Sequence, residues 1–443
     1  MKQVSRRMVL GAGASLLAAP PLVERANAQS RFDWKQFKGE KIEVNLVTNP
    51  HAAQMIAGMK EFEDLTGIRA AVEQVPEQQQ RQKFAIEFAS GRPSFDVVLA
   101  SLHVNKLQMG RAKWCADLRP MIADAQITSP ELDLADFSQG ALAYATQPDG
   151  RMDSLPFDVD HFILYYNKDL LAQRNIAVPK TFDELYTAAK ALTDPAKQQY
   201  GFVGRGLRNA NVVLWMNILL TTAQHGALDA NGKLATDSPD AVWAGQMYQK
   251  LLRECAPPGV VGFNWNECQT TFMQGRAAFW IDGVGYAAPL EDPQRSRLAG
   301  KLGYAVVPAG PAHQHSSFFC SGLGIAEASR KKGPAWLWVQ WATSKPKLIQ
   351  TLNTGAGAPP RISSYQSEEA RKGSRFPAQY FDTLVESIRL ARPGLPEMLP
   401  VTEFRDTIGT ALTNTIGGAD VAAELKRATD AFRPVLEQSE KGT

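Results

Sequence analysis

The chain has 443 residues, too many for one ordinary core, and a prior of about 150 residues per domain predicts two or three. Hydrophobic residues at 44% and charged residues at 21% place it among soluble globular chains. The formal charge of +3 belongs to the N-terminal stretch, because residues 1–28 carry Lys2, Arg6, Arg7 and Arg25 against Glu24. The remainder is formally neutral, which gives no footing for nucleic acid or an anionic membrane surface.

In chain order, Ser5-Arg6-Arg7-Met8-Val9-Leu10 leads into a Gly/Ala/Leu-rich run from Gly11 to Ala19, and Ala26-Asn27-Ala28 offers small residues for cleavage. Residues 1–28 read as a bacterial export signal, and the arginine pair suggests the twin-arginine route. The apolar run is short and broken by glycines, unlike the roughly 20 residues of a membrane anchor. Lys41 to Val47 then alternates and turns apolar, as a first covered strand does. Met55, Met59 and Phe62 follow at helical spacing, and Gly67 sits where a helix stops. Asp96 to Ser101 is a second buried-strand signal, so strand, helix and strand predict a parallel sheet with crossovers. Ligands collect at the carboxyl ends of such strands, which singles out Asn49 and His51 after the first and Ser101 and His103 after the second.

Pro156 to Leu171 carries the strongest strand signal: Phe162, Ile163, Leu164, Tyr165 and Tyr166, running into a helix entry at Asn167-Lys168-Asp169. Asp158 and Asp160 stand near its start, two residues apart, and so face one side of an extended segment. Carboxylates placed there accept hydrogen bonds from a polyhydroxylated ligand; solvated or helix-capping aspartates are the competing role. Thr181 to Glu184 has capping-box spacing, Val212 to Leu220 reads as a buried helix, and Ser238-Pro239 opens another. Gly275 precedes a strand that ends on Trp280, Asp282 and Gly283, with Tyr286 just beyond. Leu302 to Pro308 and Gly322 to Ala326 read as further strands, Pro334 starts a helix apolar on nearly every side, and Leu425, Ala428 and Phe432 share a C-terminal helix face. Of the four cysteines, Cys255 and Cys268 are expected to pair in an oxidising compartment, with free buried thiols as the alternative; Cys115 and Cys320 complete the set.

Several motifs in order carry a resemblance. They are the Pro156 to Leu171 stretch, Pro179 to Leu192, Phe272 to Phe279 (FMQGRAAF), Gly303 to Pro311, Ser321 to Ile325, Pro334 to Ser344 and Gly355 to Arg361 (GAGAPPR). Together the chain resembles family 1 extracellular solute-binding proteins of bacterial ABC importers, nearest the maltose-binding type. The resemblance implies an α/β, type II-like periplasmic binding protein fold: two interleaved lobes, a hinge and a cleft between them. The first lobe would hold residues 40–156 plus 304–345 and the second 157–303 plus 346–443. By the same likeness Asp160 would hold sugar hydroxyls and Trp280 would stack on a ring. Asp158, Asp282, Gly283, Tyr286, Ser321, Gly322 and Trp215 would border the cleft, although the run that holds Trp215 is of a kind more often found in a core. Arg361 would reach in from the Gly-Pro loop and separate anionic from neutral ligands, since a guanidinium forks onto carboxylate or phosphate; a structural arginine tying the loop down is the competing role. Where the maltose-binding relatives carry a Trp two positions past the strand-end glycine, this chain has Gly285 and then Tyr286, which argues against a maltodextrin-like ligand.

The implied role is a monomeric periplasmic receptor that captures a sugar, polyol or sugar derivative and delivers it to ABC permease subunits. The alternative is an exported carbohydrate-active enzyme. The chain has no Cys-x-x-Cys, His-Glu-x-x-His or Gly-x-Ser-x-Gly, and His313-Gln314-His315 is its one close histidine pair. Neither a cofactor nor a resident metal is expected.

Overall fold

Strand Leu155–Asn167, here β4, changes neighbours halfway along and so links two sheets. The structure is a computed structural model that describes residues 32–441; the expected export signal lies outside the described residues. The other strands are β1 (Lys41–Val47), β2 (Arg69–Val75), β3 (Val97–Ser101), β5 (Tyr200–Val203), β6 (Ala277–Gly283), β7 (Leu302–Val306), β8 (Ser316–Ile325) and β9 (Ala391–Pro393). Their order is β2-β1-β3-β8-β4-β6-β5, with β7 also on β4 and β9 on β8. The first half of β4 pairs antiparallel with β8, from Leu155 opposite Leu323 to His161 opposite Phe318. The second half pairs antiparallel with β6, Phe162 opposite Gly283, and with β7, Ile163 opposite Val306. One sheet edge therefore hands over to another at His161–Phe162.

The sequence pattern explains the halves. β1 pairs parallel with β2 and β3, as the strand–helix–strand reading requires. Against this part packs helix Lys332–Ala342, whose Trp336, Trp338 and Trp341 are all buried, as expected for packing residues. The indole of Trp336 donates to Thr128 Oγ1 at 2.8 Å, so its polar edge is satisfied. On the other side, helix Asn211–Leu219 is buried at every position and forms a core with Phe182–Leu192, Pro239–Glu254, Val401–Ile416 and Val421–Lys441. Leu425, Ala428 and Phe432 of the last helix all face that core.

Local signals were read with small errors. The Thr181 side chain caps its helix through the Glu184 N–H, but Glu184 reaches back to the N–H of Lys180. A reciprocal capping box instead forms at Asn264 and Glu267. The strand expected from Gly322 begins six residues earlier, at Ser316. Among the described residues no helix is long and apolar enough to cross a membrane. The expected bridge is corrected: Cys255 and Cys268 are free thiols, the first in the helical core and the second in the core around Trp280 and Tyr304. Closeness in sequence did not bring them to one core.

Candidate functional site

The pleat of β4 sends Asp158 and Asp160 to one face, with Ser321 and Phe319 of β8 directly opposite them. A register shift between Pro156 and Asp158 marks a bulge, a device that re-aims side chains near sites. Two glycines make room for the carboxylates. A Cβ on Gly283 would stand 2.0 Å from Asp160 Oδ2, and one on Gly357 would stand 2.7 Å from Asp158 Oδ1. Gly285 donates its N–H to Asp160 Oδ1 at 3.2 Å, and Ala358 does the same for Asp158 Oδ1 at 3.2 Å. Burial, then the neighbouring Asp158 charge, pushes the Asp160 carboxyl up to about 8, although part of its surface meets solvent. At neutral pH the pair therefore offers one hydrogen-bond donor and one acceptor, a match for adjacent hydroxyls.

His51 closes one wall. It is fully buried, stacks on Phe157 at 3.8 Å and meets Thr351 Oγ1 through Nε2 at 3.1 Å. Its Nδ1 lies 3.7 Å from Asp158 Oδ1 and has no hydrogen-bond partner. Arg205, from the loop after β5, closes the other. It donates from Nε to Asp282 Oδ2 at 2.9 Å and from Nη2 to Oδ1, a bidentate fork, and its Nη2 lies 3.3 Å from the Tyr286 hydroxyl. Burial works against the Arg205 charge, but Asp282 and then Tyr286 outweigh it and hold the guanidinium well above its ordinary value. The same guanidinium lies 5.6 Å over the Tyr286 ring, which stacks on Trp265 at 4.8 Å.

The expected residues divide accordingly. Asp158, Asp160, His51, Gly283, Asp282, Tyr286 and Ser321 come together around the turn-over point of β4. Asn49 stands beside His51, but its side-chain oxygen caps helix Pro50–Ala57 by accepting from Ala52. Ser101 ends β3 opposite Ser321 and is buried. His103 turns its Nδ1 to the Cys320 carbonyl at 3.2 Å and its ring edge to Phe319. Gly322 is a close-packing position, since a Cβ there would meet Ser154 Oγ at 2.4 Å.

Three expectations are corrected. Trp280 presents no free face: it is fully buried and stacked on Tyr165 at 5.0 Å. Trp215 lies wholly inside the helical core. Arg361 does not enter a cleft. It is 1% exposed, donates to the carbonyls of Thr343, Asp133 and Leu132, meets Asp136 Oδ2 at 3.3 Å and lies over the Phe137 ring. Its guanidinium is consumed by the fold. Arg205 and Trp265 were missed. Arg205 sits between Gly204 and Gly206 at the carboxyl end of a strand, the position rule that found His51 and would have found it too; Trp265 carries no comparable signal.

Separately, a cavity of about 320 Å³ lies between His103 and Lys106 on one side and Met216, Leu220 and Leu395 on the other. It shares His103 with the expected residues and is not lined by the carboxylates.

The chain has the two-lobed α/β fold of the maltose-binding-type periplasmic proteins. It belongs to the bacterial extracellular solute-binding protein family, whose model matches residues 48–347. A Mycolicibacterium smegmatis erythritol/L-threitol-binding protein is 27% identical over 96% of this chain and 95% of its own length. An ABC transporter solute-binding protein from Agrobacterium radiobacter, solved in complex with ribitol, is 27% identical with a TM-score of 0.79, covering 90% of this chain and 99% of that one. A maltose-bound T. maritima protein at 22% identity shares the fold, with a TM-score of 0.78 over 89% of this chain and all of that one.

Proposed function

We propose that this chain is the periplasmic receptor of an ABC importer and that its ligand is a polyol or small sugar held against Asp158 and Asp160. The observation that carries this reading is the paired carboxylates on one face of β4, one pushed towards its acid form, with Gly283 and Gly357 leaving space beside them. The erythritol- and ribitol-binding relatives support the polyol class. Both aspartates project from one strand rather than facing each other across a scissile bond, which favours binding over hydrolysis.

Lobes of residues 40–156 plus 304–345 and 157–303 plus 346–443 fit this role, with β4 as the crossing. The pairing of β7 with the second half of β4 supports moving the return crossing past Val306. His51 and Ser101 then act from the first lobe and Arg205, Asp282 and Tyr286 from the second. A ligand touching both shifts the open-to-closed equilibrium by its differential contacts. Export by the signal at residues 1–28, cleavage after Ala28, a monomeric state and delivery to the permease complete the reading.

The test is a thermal-shift series with ribitol, erythritol, D-mannitol and maltose, run beside a product assay. A bound polyol at 100 times its Kd adds about 2.7 kcal/mol and raises the melting temperature. Micromolar affinity, about −8 kcal/mol, is the expected strength. No shift with any of them, or turnover of one, contradicts the proposal.

A further inference from the structure

The geometry points to Asp282 as the residue that makes this site select uncharged polyols over their phosphates and aldonates, by holding Arg205 in a closed ion pair. The inference rests on the polyol reading above and adds the charge of the ligand to it.

Three carboxylates, Asp158, Asp160 and Asp282, converge on the β4 turn-over point, and the guanidinium facing them is Arg205. A free guanidinium in that place would fork onto an incoming phosphate or carboxylate. Here the fork is already closed: Nε and Nη2 both bind Asp282, which is itself completely buried and also accepts from the Gly283 N–H at 2.8 Å. Buried pairs of this kind do not open for a competitor without leaving a carboxylate stranded. Arg205 also meets Tyr286, whose hydroxyl lies near Nη2, and the Phe162 ring at 5.9 Å, with Asp160 close enough to act on its charge. Among the described residues named at this point, an anionic ligand therefore meets the Asp158 carboxylate while the Arg205 charge is already committed to Asp282.

A second observation places a ligand group against the other carboxylate. Buried His51 Nδ1 lacks a partner and points at Asp158 and the space Gly357 keeps open, where a Cβ would stand 3.3 Å from it. One neutral hydroxyl satisfies both His51 Nδ1 and Asp158, because it donates and accepts at once. A phosphate oxygen offers Asp158 no proton and adds repulsion.

The experiment is calorimetric titration of the full chain with ribitol, ribitol 5-phosphate and ribonate, with the erythritol and D-mannitol series in parallel. The wild type is expected to bind a neutral polyol and to bind its phosphate and aldonate at least about 100-fold more weakly, the scale of a like-charge clash costing several kcal/mol. Asp282→Asn, which unties Arg205, is expected to narrow that ratio by about tenfold or more, and adding Arg205→Gln to restore it. A purely structural role for Asp282 would weaken all three ligands together and leave the ratio alone. Should Asp282→Asn fail to fold, Asp158→Asn at the partly exposed carboxylate is expected to narrow the ratio in the same direction. Equal wild-type affinity for the neutral and anionic ligands overturns the inference, as does an unchanged ratio in the folded variants. Binding of none of the neutral polyols overturns the underlying function instead.

Discussion

Asp160 lies against Gly283 and Gly285 and has a carboxyl that burial and the Asp158 charge push up to about 8. An unfolded aspartate titrates near about 3.9, so the folded chain holds an extra proton between the two values. The sign follows: this group's stabilising contribution is complete below the unfolded value and is lost as pH rises through about 8. Asp160→Asn cannot ionise, so it is expected to melt above the wild type at pH 9 and to show no such gain at pH 4. Melting curves at the two pH values check this, and an equal difference at both would mean that Asp160 ionises normally. Residue-scale chemistry of this kind was half legible. Two aspartates at alternate strand positions pointed to one face, yet nothing in the spacing signalled that one would sit in a desolvated corner made by Gly283 and Gly285.

The Gly355 to Arg361 loop and the segment around residues 132–137 are fastened by Arg361, and that fastening belongs to the scale of elements. The guanidinium satisfies carbonyls of Leu132, Asp133 and Thr343, drawn from two distant stretches of chain. Burial pulls its basicity down, and Asp136 works in the opposite direction. Removing one member of a buried pair typically costs about 3–5 kcal/mol. Arg361→Ala is therefore expected to lose stability on that scale in urea denaturation while the folded fraction keeps its ligand affinity. Normal stability with lost binding would return Arg361 to the site. Two arginines in glycine-bounded loops, Arg205 and Arg361, look interchangeable on paper. Which one turns to carbonyls and which to Asp282 is decided largely by distant segments, 228 residues away for Arg361 and Asp133 and 77 for Arg205 and Asp282, and a single sequence does not display those pairings. The cysteines teach the same lesson, since 13 positions of separation between Cys255 and Cys268 still span two cores.

At the scale of the whole molecule, most of the buried strands were legible because burial on both faces leaves continuous apolar runs, as in β3 and β6, but the four-residue β5, equally buried, was too short to signal itself. β2 and β9 were not legible either, having mixed, half-exposed sequences whose pairing comes from their neighbours. The change of partners along β4 makes a single strand the meeting point of two sheets, with Asp158 and Asp160 just before the change. The most direct measurement is a crystal structure of the chain grown with the polyol that gives the largest thermal shift. The account predicts ligand hydroxyls within hydrogen-bond distance of Asp158 and Asp160, one of them also on His51 Nδ1, with Arg205 still forked onto Asp282. A ligand seated instead in the cavity between Lys106 and Leu395, with both aspartates untouched, would contradict it.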